Sequence, residues 1–250
     1  VMTDRPLLVF DFDGVIVDGM AEYWWSAWTA ADGLGAAPQG LTPTVVPEAF
    51  RQLRPWVHHG WEMVLLAAEL SGLRLDLWIQ DYPTQQAIAL QRRGWSADLL
   101  QDALDRTRQE AVGSDRSGWL QLHRPFPGLV ERLQNLDGEG VDWAVLTTKS
   151  AAFTAELLES LGLVPWRLDG REAGAKPEVL LRLQQDRRLL GFVEDRRATL
   201  ETVLSTDGLQ ALPCWLVSWG YLRPSDRLDL PAGIRLLEPD GLAAPLAQWP

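Results

Sequence analysis

The stretch LLVFDFDGVIVDGM, Leu7–Met20, constrains the fold more than any other: the run Leu7–Phe12 turns polar only at its end, where it delivers Asp11 and then Asp13 just before a glycine. A continuous apolar run of this length reads as a strand buried on both faces. Three more runs repeat the pattern: Val141–Thr148 after a glycine-rich turn at Asp137–Gly140, Leu189–Glu194, and Leu212–Gly220, which ends in glycine. Helical patterns lie between them, over Gly128–Leu136, Ala151–Leu161, Pro177–Gln185 and Ala198–Leu204. Strands alternating with helices of this length predict right-handed crossovers and an α/β fold, a doubly wound, mostly parallel sheet covered on both sides.

One region breaks the rhythm. From Gly19 to about His123 the pattern is helical, with EAFRQLRPWVHHGWEMVLLAAEL and SADLLQDALDRTRQEAV as its best helices and Ser96 placed to cap the second. Eight of the 13 tryptophans fall between Trp24 and Trp119, where large rings fill space between helices. HRPFPG, His123–Gly128, reads as the linker back into the sheet. The expected organisation is an α/β core from residues 1–18 and 124–250, interrupted by an inserted α-helical module over 19–123.

The net charge of -11 and the absence of any cluster of Lys and Arg argue against nucleic acid as a partner. Acidity is no barrier to a small anionic substrate when a divalent cation and a few local cations neutralise the site. No apolar run reaches the ~20 residues that span a bilayer, and the opening VMTDRPLL does not read as a secretion signal. Cys214 is the only cysteine, so no intrachain disulfide forms and a cytoplasmic setting is expected.

The polar residues at the ends of the expected strands fall into register. The first ends at Asp11 and Asp13, the second at Thr147, Thr148 and Lys149, and the third at Glu194 and Asp195. Open parallel sheets bind ligands outside the carboxyl ends of their strands, so three strands bring four carboxylates and a hydroxyl to one edge. Two other readings fail. A calcium loop would need its glycine two positions later than Gly14 and an oxygen ligand at Val15. A phosphate-binding loop at GREAGAK has the wrong glycine spacing, Pro177 in place of Ser or Thr, and no strong strand before it.

DFDGVIVD resembles the first motif of the haloacid dehalogenase superfamily, an Asp-x-Asp-Gly after a buried strand. VLTTK is similar to its second motif, AKPEVL to its third, and FVEDRRATL to the form of the fourth with two adjacent acidic residues. All four occur in order, with a helical insertion where that family places its C1 cap. Thr199 stands where the fourth motif often has another Asp, and Arg196 where a small residue is common.

The resemblance implies phosphotransfer through a covalent intermediate, which splits one difficult step into two. Asp11 would be the nucleophile and Asp13 the general acid and then base. Mg²⁺, which favours oxygen ligands, would be held by Asp11, Glu194, Asp195 and the main-chain carbonyl of Asp13. Thr147 would donate a hydrogen bond to the phosphoryl group and Lys176 a positive charge, Lys149 being the rival lysine. An acid at Asp13 points to phosphotransfer over dehalogenation. Within the expected cap, Arg54, His58 and His59 are candidate contacts to a second anionic group of the substrate, as Thr148 and Lys149 are from the core. The expectation is a Mg²⁺-dependent phosphatase acting on a small phosphorylated metabolite. The alternatives are a phosphosugar mutase using the same aspartyl-phosphate chemistry and a catalytically silent binding protein on the same fold.

Overall fold

In the computed structural model, which describes residues 5–250, the first strand is buried at all four of its positions. The strands in chain order are β1 (Leu7–Phe10), β2 (Val17–Asp18), β3 (Arg124–Pro125), β4 (Asp142–Leu146), β5 (Arg167–Asp169), β6 (Leu189–Glu194), β7 (Cys214–Val217) and β8 (Ile234–Leu237). Six of them form one sheet in the order β5-β4-β1-β6-β7-β8, and every pairing in it is parallel. The chain therefore works outward from β1 in one direction through β4 and β5, then in the other through β6, β7 and β8. That reversal beside β1 opens the crevice in which α/β sheets bind ligands. The α/β, mostly parallel architecture expected from the sequence is the one observed.

By contact, the chain divides into two units, one formed by the residues up to Asp18 with Arg124–Pro250, the other by Gly19–His123. At the division, β2 pairs antiparallel with β3, Val17 opposite Pro125 and Asp18 opposite Arg124, so the strands leading out and back form a two-stranded ribbon.

The second unit is helical: α1 (Met20–Gly33), α2 (Glu48–Leu53), α3 (Gly60–Glu69), α4 (Leu75–Gln80), α5 (Tyr82–Arg93), α6 (Ala97–Ser114) and α7 (Arg116–Leu120). Ser96 caps α6 as expected, its side chain accepting the Leu99 N–H at 3.2 Å. The long EAFRQLRPWVHHGWEMVLLAAEL pattern is not one helix. Pro55 lacks an N–H and the chain turns extended at Val57, so α2 passes into a short 3-10 turn. α3 then starts afresh from His59, whose N–H, with that of His58, donates to the Glu62 carboxylate. Trp24 is fully buried and meets Phe50 edge-on at 5.1 Å, the packing role expected of the tryptophans.

In the first unit α8 (Leu129–Asn135), α9 (Ala151–Ser160), α10 (Lys176–Asp186), α11 (Arg197–Leu204) and α12 (Pro239–Ala243) accompany the strands. Val179, Leu180 and Leu183 of α10 and Leu200 and Val203 of α11 join Val9, Leu146 and Phe192 in one buried cluster. Full burial of each such side chain contributes about 1.5–3 kcal/mol. The sheet has two strands beyond the four expected. β5 is only Arg-Leu-Asp, and β8 is an edge strand carrying the exposed Arg235, so neither shows a continuous apolar run. β5 also directly precedes GREAGAK. The phosphate-loop reading is thus excluded by glycine spacing and by Pro177, not by the lack of a strand.

Candidate active site

The end of β1 places Asp11 where its N–H still completes the sheet, donating to Val193 O at 2.8 Å, while its side chain leaves the strand. Lys176 opens α10 immediately after Gly174 and Ala175, and its ammonium lies between two carboxylates, 2.9 Å from Asp11 Oδ1 and 2.7 Å from Glu194 Oε2. Asp195 follows Glu194 at the end of β6. Asp11, Glu194 and Asp195 are all buried and each offers an oxygen within 4.8 Å of the others.

Asp13 turns elsewhere. Its Oδ1 faces the Lys149 ammonium at 3.3 Å, and its carboxylate lies outside the group of three. Of the residues expected to hold a metal, Asp13 therefore has only its main-chain carbonyl to offer. Lys149 comes from the end of β4, and the Phe153 ring lies 5.2 Å from its ammonium. The chain's only two lysines thus both reach this edge. Thr147 is buried at the same strand end, its N–H bound to Asp169 O. Its Oγ accepts the Lys149 N–H at 3.1 Å, so the hydroxyl proton is left to donate. Thr148 is exposed beside it.

Three buried carboxylates lie together in a dry place, and the one lysine among them pairs with two, Asp11 and Glu194. Burial, and then the Glu194 charge, push the Asp11 carboxyl up to about 8 in spite of Lys176. Burial and the Asp195 charge also raise Glu194. Burial alone would depress Lys176, yet Asp11 and Glu194 together hold it above the usual lysine range. Glu194 is further fixed by its Oε1, which accepts the N–H groups of Asp195 and Arg196, both at 3.1 Å. A buried, oxygen-only donor set fits a hard divalent cation. The cradle is close-fitting: Gly14, at φ +83, could not carry a Cβ, which would lie 2.1 Å from Asp195 Oδ2.

Asp195 does not cap α11, the simplest structural role its position allowed; the cap position belongs to Arg196. Its Oδ2 instead accepts the N–H of Tyr221 at 2.9 Å. Tyr221 was not anticipated, because a main-chain donor leaves no side-chain signature; the only signal was the glycine just before it. Arg54, His58 and His59 belong to the helical unit. There the Arg54 guanidinium stands over the Tyr23 ring at 4.8 Å, and the two histidines are exposed in the turn before α3.

The haloacid dehalogenase-like hydrolase family matches residues 6–186, nearly three quarters of the chain, a span that includes Asp11, Asp13, Thr147 and Lys176 and stops short of Glu194 and Asp195. A phosphoglycolate phosphatase of Vibrio parahaemolyticus is 27% identical over 175 residues, 70% of this chain and 64% of that protein. One of Mesorhizobium japonicum is 28% identical over 163 residues, covering 64% of this chain and 56% of its own. The chain thus spans less than two thirds of these relatives. Among solved structures, a haloacid dehalogenase-like family hydrolase of Streptococcus pneumoniae aligns with a TM-score of 0.57 at 16% identity, over 94% of this chain and 95% of its own. A subfamily IA, variant 1 hydrolase of Geobacter sulfurreducens aligns at 0.55 and 18%, over 93% and 92%. These structures share the fold, and with the match over residues 6–186 the chain belongs to the haloacid dehalogenase-like hydrolase family.

Proposed function

We propose that this protein is a Mg²⁺-dependent phosphatase that hydrolyses a small phosphorylated metabolite through an aspartyl-phosphate at Asp11. The observation that carries it is the cluster of three buried carboxylates, two of them paired with Lys176. A phosphate ester cannot approach such a surface unless a cation accompanies it. Asp11, Glu194 and Asp195, with the main-chain carbonyl of Asp13, would hold Mg²⁺. When bound it would neutralise charge on the phosphoryl oxygens and keep Asp11 ionised.

Asp11 attacks phosphorus, and the ester oxygen leaves with the proton that Asp13 donates. Asp13, now a carboxylate, takes a proton from the water that attacks the aspartyl-phosphate, so inorganic phosphate is released and Asp11 is regenerated. Thr147 donates its hydroxyl to a phosphoryl oxygen. Lys176 keeps a positive charge beside the nucleophile, and Lys149, beside Asp13, is the second cation available to the phosphate. Residues 19–123 serve as the cap that selects the substrate, with Arg54, His58 and His59 as candidate contacts. The relatives' names make phosphoglycolate the first compound to try. The lone buried Cys214 accords with a cytoplasmic enzyme.

The test is phosphate release from a panel of phosphorylated metabolites, phosphoglycolate included, with and without Mg²⁺, for the wild type and Asp11→Asn. Mg²⁺-dependent release that falls by roughly 10⁴-fold or more in Asp11→Asn is the expected result. Release unaffected by either change would overturn the proposal, and phosphoryl migration without release would replace it with a mutase.

A further inference from the structure

The segment Ser218–Tyr221, just after β7, touches the cluster at several points, and none of its residues belongs to the four motifs. Its start is anchored at the sheet edge. The Ser218 N–H donates to Leu237 O at 3.0 Å, its hydroxyl donates to Glu238, and its carbonyl accepts from Arg227. From there it crosses to the first loop, where the Trp219 Nε1–H donates to Val15 O at 3.0 Å. Gly220 lies against both loops at once: a Cβ there would stand 2.2 Å from Asp195 Cβ and 2.6 Å from Gly14 O. Tyr221 then divides its two donors. Its N–H binds Asp195 Oδ2 at 2.9 Å, and its phenol donates to Asp18 Oδ1 at 2.8 Å. Asp18 is the last residue of the unit before the chain leaves for the helical insertion.

We infer that Trp219–Gly220–Tyr221 is a clamp that positions Asp195 for a divalent cation, with Tyr221 as its positioning residue and Asp18 as its far anchor. The inference rests on the proposal that the three carboxylates bind Mg²⁺. Asp195 sits in the turn between the end of β6 and Arg196, the cap position of α11, and gives the helix no side-chain cap bond. The Tyr221 N–H engages Oδ2 and keeps the carboxylate beside Asp11 and Glu194. A donor of this kind, one step behind the ligand, fixes the ligand's orientation, and its loss lowers metal affinity without removing a ligand. The phenol bond to Asp18 in turn holds the Tyr221 main chain where its N–H can reach.

Calorimetric titration of Mg²⁺ into the full chain tests this with Gly220→Ala and Tyr221→Phe. Gly220→Ala, which forces Asp195 aside, weakens Mg²⁺ binding by about tenfold or more. Tyr221→Phe keeps the amide and loses only the Asp18 anchor, for a weakening of about threefold. Excess Mg²⁺ restores kcat on a phosphate ester in both variants at an unchanged KM, a rescue that a generally damaged fold would not show. Wild-type affinity in both variants overturns the clamp, as does a loss that no Mg²⁺ concentration restores. Should the wild type itself bind no Mg²⁺, the cation site falls first and the clamp with it, which separates that failure from the other two.

Discussion

Both units bury carboxylates, and they treat them in opposite ways. In the helical unit Glu22 is buried between α1 and α6, and the Arg108 guanidinium meets it with two bonds, of 2.7 and 2.9 Å, while Ser26 donates a third. Glu69 is met by Arg92 and Arg93 together. Glu62 receives the Tyr82 hydroxyl at 2.9 Å and the two histidine amides. Each of these charges has all the donors it needs, and each joins one helical segment to another. At the sheet edge Asp11, Glu194 and Asp195 lie within 4.8 Å of one another, and the ammonium among them, Lys176, pairs with Asp11 and Glu194. A buried charge met by donors from another segment ties the fold together; a buried cluster of carboxylates at the end of a parallel sheet is what the proposed Mg²⁺ would complete.

Removing the one cation is the strongest way to break this contrast. Lys176→Met leaves two buried carboxylates, Asp11 and Glu194, without their ammonium, and the metal-free chain loses about 3–5 kcal/mol of stability in chemical denaturation. Saturating Mg²⁺ restores part of that loss, because it supplies charge at the same place. A Lys176→Met variant as stable as the wild type without Mg²⁺ would show that Asp11 and Glu194 do not need the ammonium.

The helical unit supplies the matching experiment. Glu22→Gln leaves the Arg108 guanidinium without its carboxylate, and because Arg108 is partly open to solvent the cost is smaller, about 2–3 kcal/mol. Here Mg²⁺ restores nothing beyond its effect on the wild type, and the calorimetric Mg²⁺ affinity is unchanged. An altered affinity would mean that the two sets of buried carboxylates are not independent.

What could be read beforehand follows the same division. β1, β4, β6 and β7 announced themselves because a central parallel strand is covered on both faces and must be apolar throughout, whereas β5 and β8 lie at the sheet edges, where Arg167, Asp169 and Arg235 are tolerated. Asp11, Asp13, Glu194 and Asp195 were legible because a carboxylate at the end of an apolar run has no packing reason to be there. Lys176 beside Asp11 was legible through the motif that carries it, whereas the pairing of Lys149 with Asp13 emerges only once the sheet order sets β4 and β1 side by side. The Tyr221 contact was hidden for another reason, since its donor is the main chain and any residue type provides one. The ion pairs of the helical unit depend on packing between segments up to 86 residues apart, which periodicity does not report.

The smallest effect is also the one that isolates Asp11. Burial first, and the Glu194 charge second, raise its carboxyl to about 8 from an ordinary 3.8. A carboxyl that is harder to ionise in the folded chain contributes stability fully below the ordinary value, and that contribution drains away as the pH rises to the folded one. Between pH 7 and 8.5 the metal-free protein should therefore lose about 1 kcal/mol of unfolding free energy, the share of one proton over that interval. The window ends there because Cys214, raised to about 12 by burial and Glu194, begins to add a loss of the same sign once free thiols ionise. Denaturation at the two pH values gives the slope, and Asp11→Asn, which keeps Cys214 and removes the carboxyl, sets the baseline. Mg²⁺ flattens the wild-type slope because it favours the ionised carboxylate, and Glu22→Gln leaves the slope as it was. If Asp11→Asn and the wild type lose stability equally, Asp11 is not the group under strain, and the contrast between the two sets of buried carboxylates must be carried by Glu194 instead.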